Sequence, residues 1–236
     1  MTDNASIPSD TAIPGPSDIA IPGRLRLVAG AACCLSGVAL VIHILTGSPL
    51  WLVLTGLGFV FSFAVVLVSA GNRTQLARLG TLVKAGLVVG VIGTAAYDGS
   101  RWLLARFGGL ELSPFEALPL FGQALLGQSN GETAVVVAGV AYHLLNGVAF
   151  GVAYVIWFGH RAWWWGVVFA FGLEAAMLAV YPGWLDPASL AELTQISVVG
   201  HLAYGVTMGL VTRRIVPGRS RATQSASGQY RRVIDG

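Results

Sequence analysis

Ionisable and polar side chains inside apolar segments are the residues of this sequence that could do chemistry. A charged side chain at the centre of a membrane helix costs roughly 2.5–3.5 kcal/mol or more, so such residues are few and often functional. The candidate site consists of those predicted to lie towards the outer ends of membrane spans: His43, Asp98, Arg101, His143, Asn146, Glu174 and His201. Glu174 would be the costliest of them if charged, so we expect it to be protonated or paired.

Three kinds of chemistry suit a set of two histidines and one carboxylate, His143, His201 and Glu174. They could bind Zn²⁺ or another divalent ion. The two histidines could be axial ligands of a haem. Histidine and glutamate could instead pass protons beside a transported solute. The sequence leaves these open, together with a fourth interpretation in which each histidine only hydrogen-bonds to a neighbouring helix, so neither a metal nor another cofactor is assigned.

Signatures of enzymes are absent from the sequence. It contains no Cys-x-x-Cys-His, His-Glu-x-x-His, phosphate-loop or dinucleotide-binding pattern. No nucleophile, base and acid can be assembled from spacing alone. We therefore predict no catalytic residues and do not expect an enzyme.

Two adjacent cysteines, Cys33 and Cys34, lie within the first apolar segment. Thiolates bind soft metals. The stretch Ala31-Ala32-Cys33-Cys34-Leu35 is similar to the cysteine pair in the first span of mercuric-ion transporters. This resemblance covers five residues, and no second cysteine pair follows. The alternative is a pair of small buried residues.

Glycines at helical spacing accompany both histidines of the last three predicted spans. The sequences from His143 to Gly151 and from His201 to Gly209 share the pattern H-L-x-x-G-V-x-x-G. Residues four apart lie on one helix face, and small residues at this spacing mark where membrane helices touch. The predicted packing faces are Gly139, His143, Gly147 and Gly151; Ser197, His201, Gly205 and Gly209; and Gly86, Gly90, Thr94 and Asp98. Each histidine is therefore expected to face protein rather than lipid.

The composition indicates that the solvent of this chain is largely lipid. Hydrophobic residues make up 55% and charged residues 11% of the sequence, whereas about a quarter of a soluble domain is charged. A span needs about 20 apolar residues. We predict an all-α, polytopic membrane bundle of six spans, at about 25–46, 50–70, 79–98, 134–158, 162–181 and 195–215.

The placement of arginine predicts the orientation of this bundle. Basic residues cluster before the first span, after the second and the fourth, and after the sixth. Such residues favour the cytoplasmic side. Both termini are therefore predicted in the cytoplasm, and the chain in the inner (plasma) membrane of a bacterium.

Segments outside the spans have their own predictions. Residues 1–23, rich in proline and serine, are predicted to be a disordered tail, followed by the bundle at 24–215. In the outer interfacial segment 99–133, Ser113-Pro114-Phe115-Glu116 predicts the start of a short helix that lies on the membrane surface or covers a site. The basic tail 216–236 is expected to lie against anionic lipid headgroups rather than to bind nucleic acid.

Transport of a small solute or ion, in the manner of a permease, is the leading functional hypothesis. His143, Glu174 and His201 would line the pathway. A metal- or haem-containing membrane redox protein is one alternative. A non-catalytic structural subunit of a membrane complex is another, and self-association or a membrane partner stays open in every case.

Overall fold

The computed structural model describes residues 21–69, 72–127, 130–159 and 161–216, and every regular element in these ranges is a helix. The helices are α1 (Gly23–Cys33), α2 (Leu35–Thr46), α3 (Leu50–Ser69), α4 (Arg73–Phe107), α5 (Ala117–Leu126), α6 (Glu132–Phe158), α7 (Trp164–Val180), α8 (Pro182–Leu185) and α9 (Leu190–Ile215). The predicted all-α class is thus confirmed. Nearly all of the two predicted tails lies outside the described residues.

Three of these helices, α3, α4 and α6, are long and apolar enough to cross a membrane. The pair α1 and α2 makes a fourth candidate if it is counted as one span with a 54° bend. At 17 residues, α7 is shorter, and α9 is not among the candidates. Length and composition therefore support a membrane protein with three or four spans, fewer than the six predicted.

The first predicted span, 25–46, is broken at Cys34. The N–H of Cys34 donates to the carbonyl of Ala31 at 3.0 Å, which closes a tight turn between α1 and α2. Both halves pack against large aromatic side chains of α6, since a Cβ on Gly30 would overlap the ring of Trp157 and one on Gly37 would overlap the ring of Phe150. Neither proline nor glycine lies at the break, so the sequence does not predict it.

Helix α4 lies at the centre of the bundle, between α6 and α9. Its backbone touches that of α6 directly, because the crossing is built from glycines. A Cβ on Gly90 would meet the carbonyl oxygen of Val148, and a Cβ on Gly151 would meet the backbone of Gly90. Gly86 lies against Val152 at the same crossing. Such close approach is how membrane helices gain contact area without a hydrophobic driving force.

The two histidine–glycine stretches have different packing partners. On α9, Gly205 and Gly209 lie against the backbone of Gly166 and Trp163 at the start of α7. On α6, Gly147 lies against Thr94 of α4 instead. Helices α6 and α9 themselves hardly touch, because α4 separates them.

Helix α4 is much longer than the predicted span 79–98. It has 35 residues, which is roughly 52 Å at 1.5 Å per residue, whereas the hydrocarbon core is about 30 Å thick. The predicted span ends at Asp98, where charged residues begin. Charged residues that find partners, as Asp98 and Arg101 do, do not stop a helix. Gly108 and Gly109 end α4, and Gly109 has a φ of 67° that favours glycine.

Helix α5 packs along the first part of α6 in the antiparallel direction. A Cβ on Gly139 would overlap the carbonyl of Leu118, and a Cβ on Gly122 would overlap the carbonyl of Val135. Helix α5 therefore packs directly against a candidate span. Helix α5 begins at Ala117, just after the predicted start at residues 113–116. These residues form a turn instead, in which the N–H of Glu116 donates to the carbonyl of Ser113 at 3.3 Å.

Candidate functional site

A cavity of about 130 Å³ lies between α4, α6, α7 and α9, and α5 with the residues before it forms one wall. This is room for several waters or for a small ligand. The polar residues of its lining are Thr94, Tyr97, Arg101, His143, Asn146, Tyr181, Ser197, His201 and Tyr204. Four of the seven residues of the predicted site therefore line one cavity.

One side of the cavity is built on a buried histidine–carboxylate pair. The Nδ1 atom of His201 lies 2.6 Å from Oε2 of Glu174, and the Ser197 hydroxyl donates to the same oxygen at 2.6 Å. Glu174 is only 3% exposed, so it needs this pairing. Its other oxygen, Oε1, has no hydrogen-bond partner among the described residues.

The second histidine also binds a carboxylate. The Nε2 atom of His143 lies 2.9 and 3.1 Å from the two oxygens of Asp98. The contact between Asp98 and Arg101, three residues on, is longer, at 3.9 Å. Asp98 therefore interacts mainly with the histidine and leaves the guanidinium only partly compensated.

Tyr97 of α4 lies between the two pairs. Its ring centroid is 6.0 Å from that of His143 and 5.0 Å from that of His201, and the guanidinium carbon of Arg101 lies 4.8 Å from its centre. Tyr204 adds a hydroxyl that donates to the carbonyl of Gly147. Sequence reasoning missed both tyrosines. The available signal was their position, one residue before Asp98 in one case and inside the repeated histidine–glycine pattern in the other.

Each carboxylate engages one nitrogen of its histidine and leaves the other. Asp98 and Glu174 are not part of the cavity lining, whereas both histidines are. A carboxylate accepts the ring N–H, so the remaining nitrogen of a neutral imidazole carries a lone pair. Within the part of the chain that is described, neither His143 Nδ1 nor His201 Nε2 makes a hydrogen bond. Both nitrogens are therefore available to a ligand or a proton.

Two further polar atoms of lining residues lack partners. Arg101 Nε and Asn146 Oδ1 are buried and make no hydrogen bond to any described residue. A buried polar group left unsatisfied costs about 1–3 kcal/mol.

His43 and the cysteine pair lie elsewhere. The Nδ1 atom of His43 is 2.7 Å from the carbonyl oxygen of Ser48, and its ring stands edge-on to that of Trp184 at 6.4 Å. Neither His43 nor Cys33 or Cys34 lines the cavity. The structure therefore does not bring the seventh candidate residue to the site.

The donor arrangement does not fit the metal and haem hypotheses. Among the residues that the structure describes, no group of three or more His, Cys, Asp or Glu side chains could hold a metal ion. The ligand set proposed from the sequence, His143, His201 and Glu174, does not converge on one point. His201 pairs with Glu174, whereas His143 pairs with Asp98. A haem between the histidines would also have to displace the Tyr97 ring, which contacts both.

Comparisons with known proteins give no relative from which a role could be transferred to these residues. No family model matches the chain, and neither a curated protein nor a solved structure matches it.

Proposed function

We propose that the protein is a permease-like membrane transporter that binds a small solute in the cavity between α4, α6, α7 and α9. One observation carries the proposal: two histidines, each paired with a carboxylate, line the same cavity, and each keeps one ring nitrogen without a hydrogen bond to any described residue. Ionisable groups at membrane depth are expensive, and they are usually retained for substrate or proton pathways.

Proton-linked movement is the mode that this pair of histidines suits. A histidine held by a carboxylate can take up a proton on its free nitrogen, because the carboxylate stabilises the resulting charge. A solute bound beside His143 or His201 changes the free energy of that protonation. By linkage, the proton then changes the affinity for the solute by the same factor.

The proposal includes six spans with both termini in the cytoplasm of a bacterial inner membrane. Helix α9 has 26 residues, which is long enough to cross, and carries Arg213 and Arg214 in its last turn. Helix α7, at roughly 26 Å, is a few ångströms short of the core. Trp163 and Trp164 at its start and Trp184 after its end supply interfacial anchors.

Reporter fusions test this orientation. Alkaline phosphatase fused after Glu111, between α4 and α5, should be active when expressed in a bacterial host, because that link is predicted outside. A fluorescent protein fused after Val216 should fluoresce in the cytoplasm. Inactive phosphatase with a silent C-terminal fusion would reverse the orientation.

The structural-subunit alternative has one observation in its favour. Helix α3 is the most apolar of the three long candidate spans, with mean hydropathy 2.4, and only 6% of its most apolar 18-residue stretch is buried. A lipid-facing helix explains this exposure as well as a partner protein does. The redox alternative is disfavoured by the divided donor set described above.

Solute-evoked currents test the transport function. The full chain would be reconstituted in proteoliposomes, and anionic, neutral and cationic small solutes would be applied with and without a proton gradient. At least one solute should evoke a current. His201→Gln should lower it by about tenfold or more, the equivalent of about 1.4 kcal/mol, because one ligand contact and one proton site are lost.

His43→Gln is the matched control, since His43 lies outside the cavity and should leave the current unchanged. Wild-type currents in both His143→Gln and His201→Gln would remove the cavity from the pathway. No current with any solute would favour the structural subunit.

A further inference from the structure

The described lining of the cavity carries one permanently positive side chain, Arg101, and no carboxylate. The two nearby acids, Asp98 and Glu174, are turned towards His143 and His201 and stay behind them. An entering solute therefore meets a guanidinium, two imidazoles, an amide and hydroxyl groups. Arg101 is thus the charged group that a solute can contact directly, and a guanidinium binds an anion rather than a cation.

Arg101 is the least satisfied charged group of the site. One of its terminal nitrogens, Nη2, donates to the carbonyl of Pro114. The other, Nη1, is 3.9 Å from Asp98, which is beyond a hydrogen bond. Its Nε is buried with no partner among the described residues, although the whole side chain is only 12% exposed. A guanidinium has five N–H donors, and a carboxylate matches its fork with two parallel bonds.

Part of the cavity wall is apolar. Phe115, Leu118 and Phe121 line it from the α5 side, and Leu173 and Met177 line it from α7. Phe115 directly follows the residue whose carbonyl holds Arg101, so the apolar wall begins beside the guanidinium. The cavity volume has room for on the order of ten water-sized groups, which limits the solute to a short chain.

We infer that the cavity takes a small organic monocarboxylate with a short apolar tail. The carboxylate binds Arg101, and the tail lies against the aromatic and aliphatic wall formed by α5 and α7. The two histidines line the same cavity, and each carries one proton with the anion, so the net charge moved is positive and a current is expected. This inference rests on the proposed transport function and names the chemical class of its solute.

Three probes of similar shape and different charge test the inference: isobutyrate, isobutyramide and isobutylammonium. Each would be titrated against the purified full chain in detergent, with the unfolding temperature as the binding signal. Each would also be applied to the proteoliposomes. Isobutyrate should bind about tenfold or more tightly than isobutyramide, because charge-assisted bonds to arginine are about twice as strong as neutral ones. Isobutylammonium should not bind.

Arg101→Gln should remove the preference for isobutyrate over isobutyramide. Arg106→Gln is the matched control, since Arg106 lies on the same helix, is exposed and does not line the cavity. It should keep the wild-type affinity. Arg101→Lys retains the charge without the fork, so it should bind isobutyrate more weakly but still in preference to the amide. This variant decides the question if Arg101→Gln does not fold.

The outcomes separate the inference from the proposed function. Binding of isobutylammonium or isobutyramide in preference to isobutyrate overturns the inference and leaves the transport function standing. Undiminished isobutyrate binding in Arg101→Gln also overturns it, as does loss of the anion preference in a folded Arg101→Lys. If none of the three probes binds while another solute evokes a current, the inference alone fails. If no solute evokes any current, the proposed function fails with it.

Discussion

Gly90→Ala should lower the free energy of unfolding by about 1–3 kcal/mol, whereas Gly80→Ala on the same helix should leave it unchanged or raise it. A Cβ at position 90 would lie 2.5 Å from the carbonyl oxygen and 2.7 Å from the Cα of Val148. Backbone cannot rotate away as a side chain can, so α4 and α6 must separate. A Cβ at position 80 meets nothing within 4 Å, and alanine is favoured over glycine inside a helix by about 1 kcal/mol.

Unfolding of the purified variants in mixed detergent micelles, followed by helical circular dichroism, measures these free energies. Gly151→Ala supplies a second test, because a Cβ at position 151 would meet the Cα of Gly90 from the other helix. The two substitutions should be less than additive when combined, since both force the same separation. Equal stabilities of Gly90→Ala and Gly80→Ala would contradict the direct backbone contact.

The sequence pattern predicts where helices approach closely but not which helices meet. Glycines four residues apart define a face whatever lies opposite, and Gly86, Gly90 and Gly151 do lie at such a contact. The shared histidine–glycine pattern could not reveal that Gly147 meets α4 while Gly205 meets α7. A packing partner depends on how all the helices arrange together, and spacing within one helix carries no information on that.

The candidate site, like the helix packing, is only partly predictable from the sequence. Burial cost marks ionisable residues such as His143, Glu174 and His201, and the structure places each of them at or directly behind the cavity. The cost of burying an ionisable group also selects His43. This cost is the same whether the side chain lines a shared cavity or makes a local hydrogen bond at a helix end, as His43 does. Tyr97 carries no such cost signal. Its position between the histidines follows only from the fold.

Elements without ionisable residues were the least predictable. Helix α5 supplies an apolar wall of the cavity, yet its sequence is equally compatible with a helix on the membrane surface. A helix packed in the bundle and a helix on the surface both need one apolar face. Its packing depends on Gly122 and Gly139, which lie on different helices. The break at Cys34 likewise has no proline or glycine to predict it.

A double-mutant cycle on Glu174 and His201 should give a coupling energy of about 1–3 kcal/mol, at the upper end of what residues in contact show. Hydrogen bonds between membrane helices average about 0.6 kcal/mol. This pair should exceed that average because His201 Nδ1 and Glu174 Oε2 are 2.6 Å apart. The side chain of His201 is only 10% exposed and that of Glu174 only 4%. The free energies of unfolding of Glu174→Gln, His201→Gln and the double variant give the coupling.

The pair formed by Asp98 and His143 is the matched comparison. Its side chains are 24% and 16% exposed, so water screens the interaction more and its coupling energy should be smaller. A cycle that gives the reverse order, or a coupling for Glu174 and His201 below that average, would contradict the buried pairing.

The single substitutions should cost more than the double one. His201→Gln leaves Glu174 buried with Ser197 as its remaining described partner and with Oε1 unsatisfied. Removing one partner of a buried pair leaves the other partner uncompensated, whereas replacing both can be nearly neutral. The double variant therefore separates folding from function. If it is as stable as the wild type yet carries no solute current in proteoliposomes, folding does not require the pair, and its ionisable groups at membrane depth serve the movement of solute and proton.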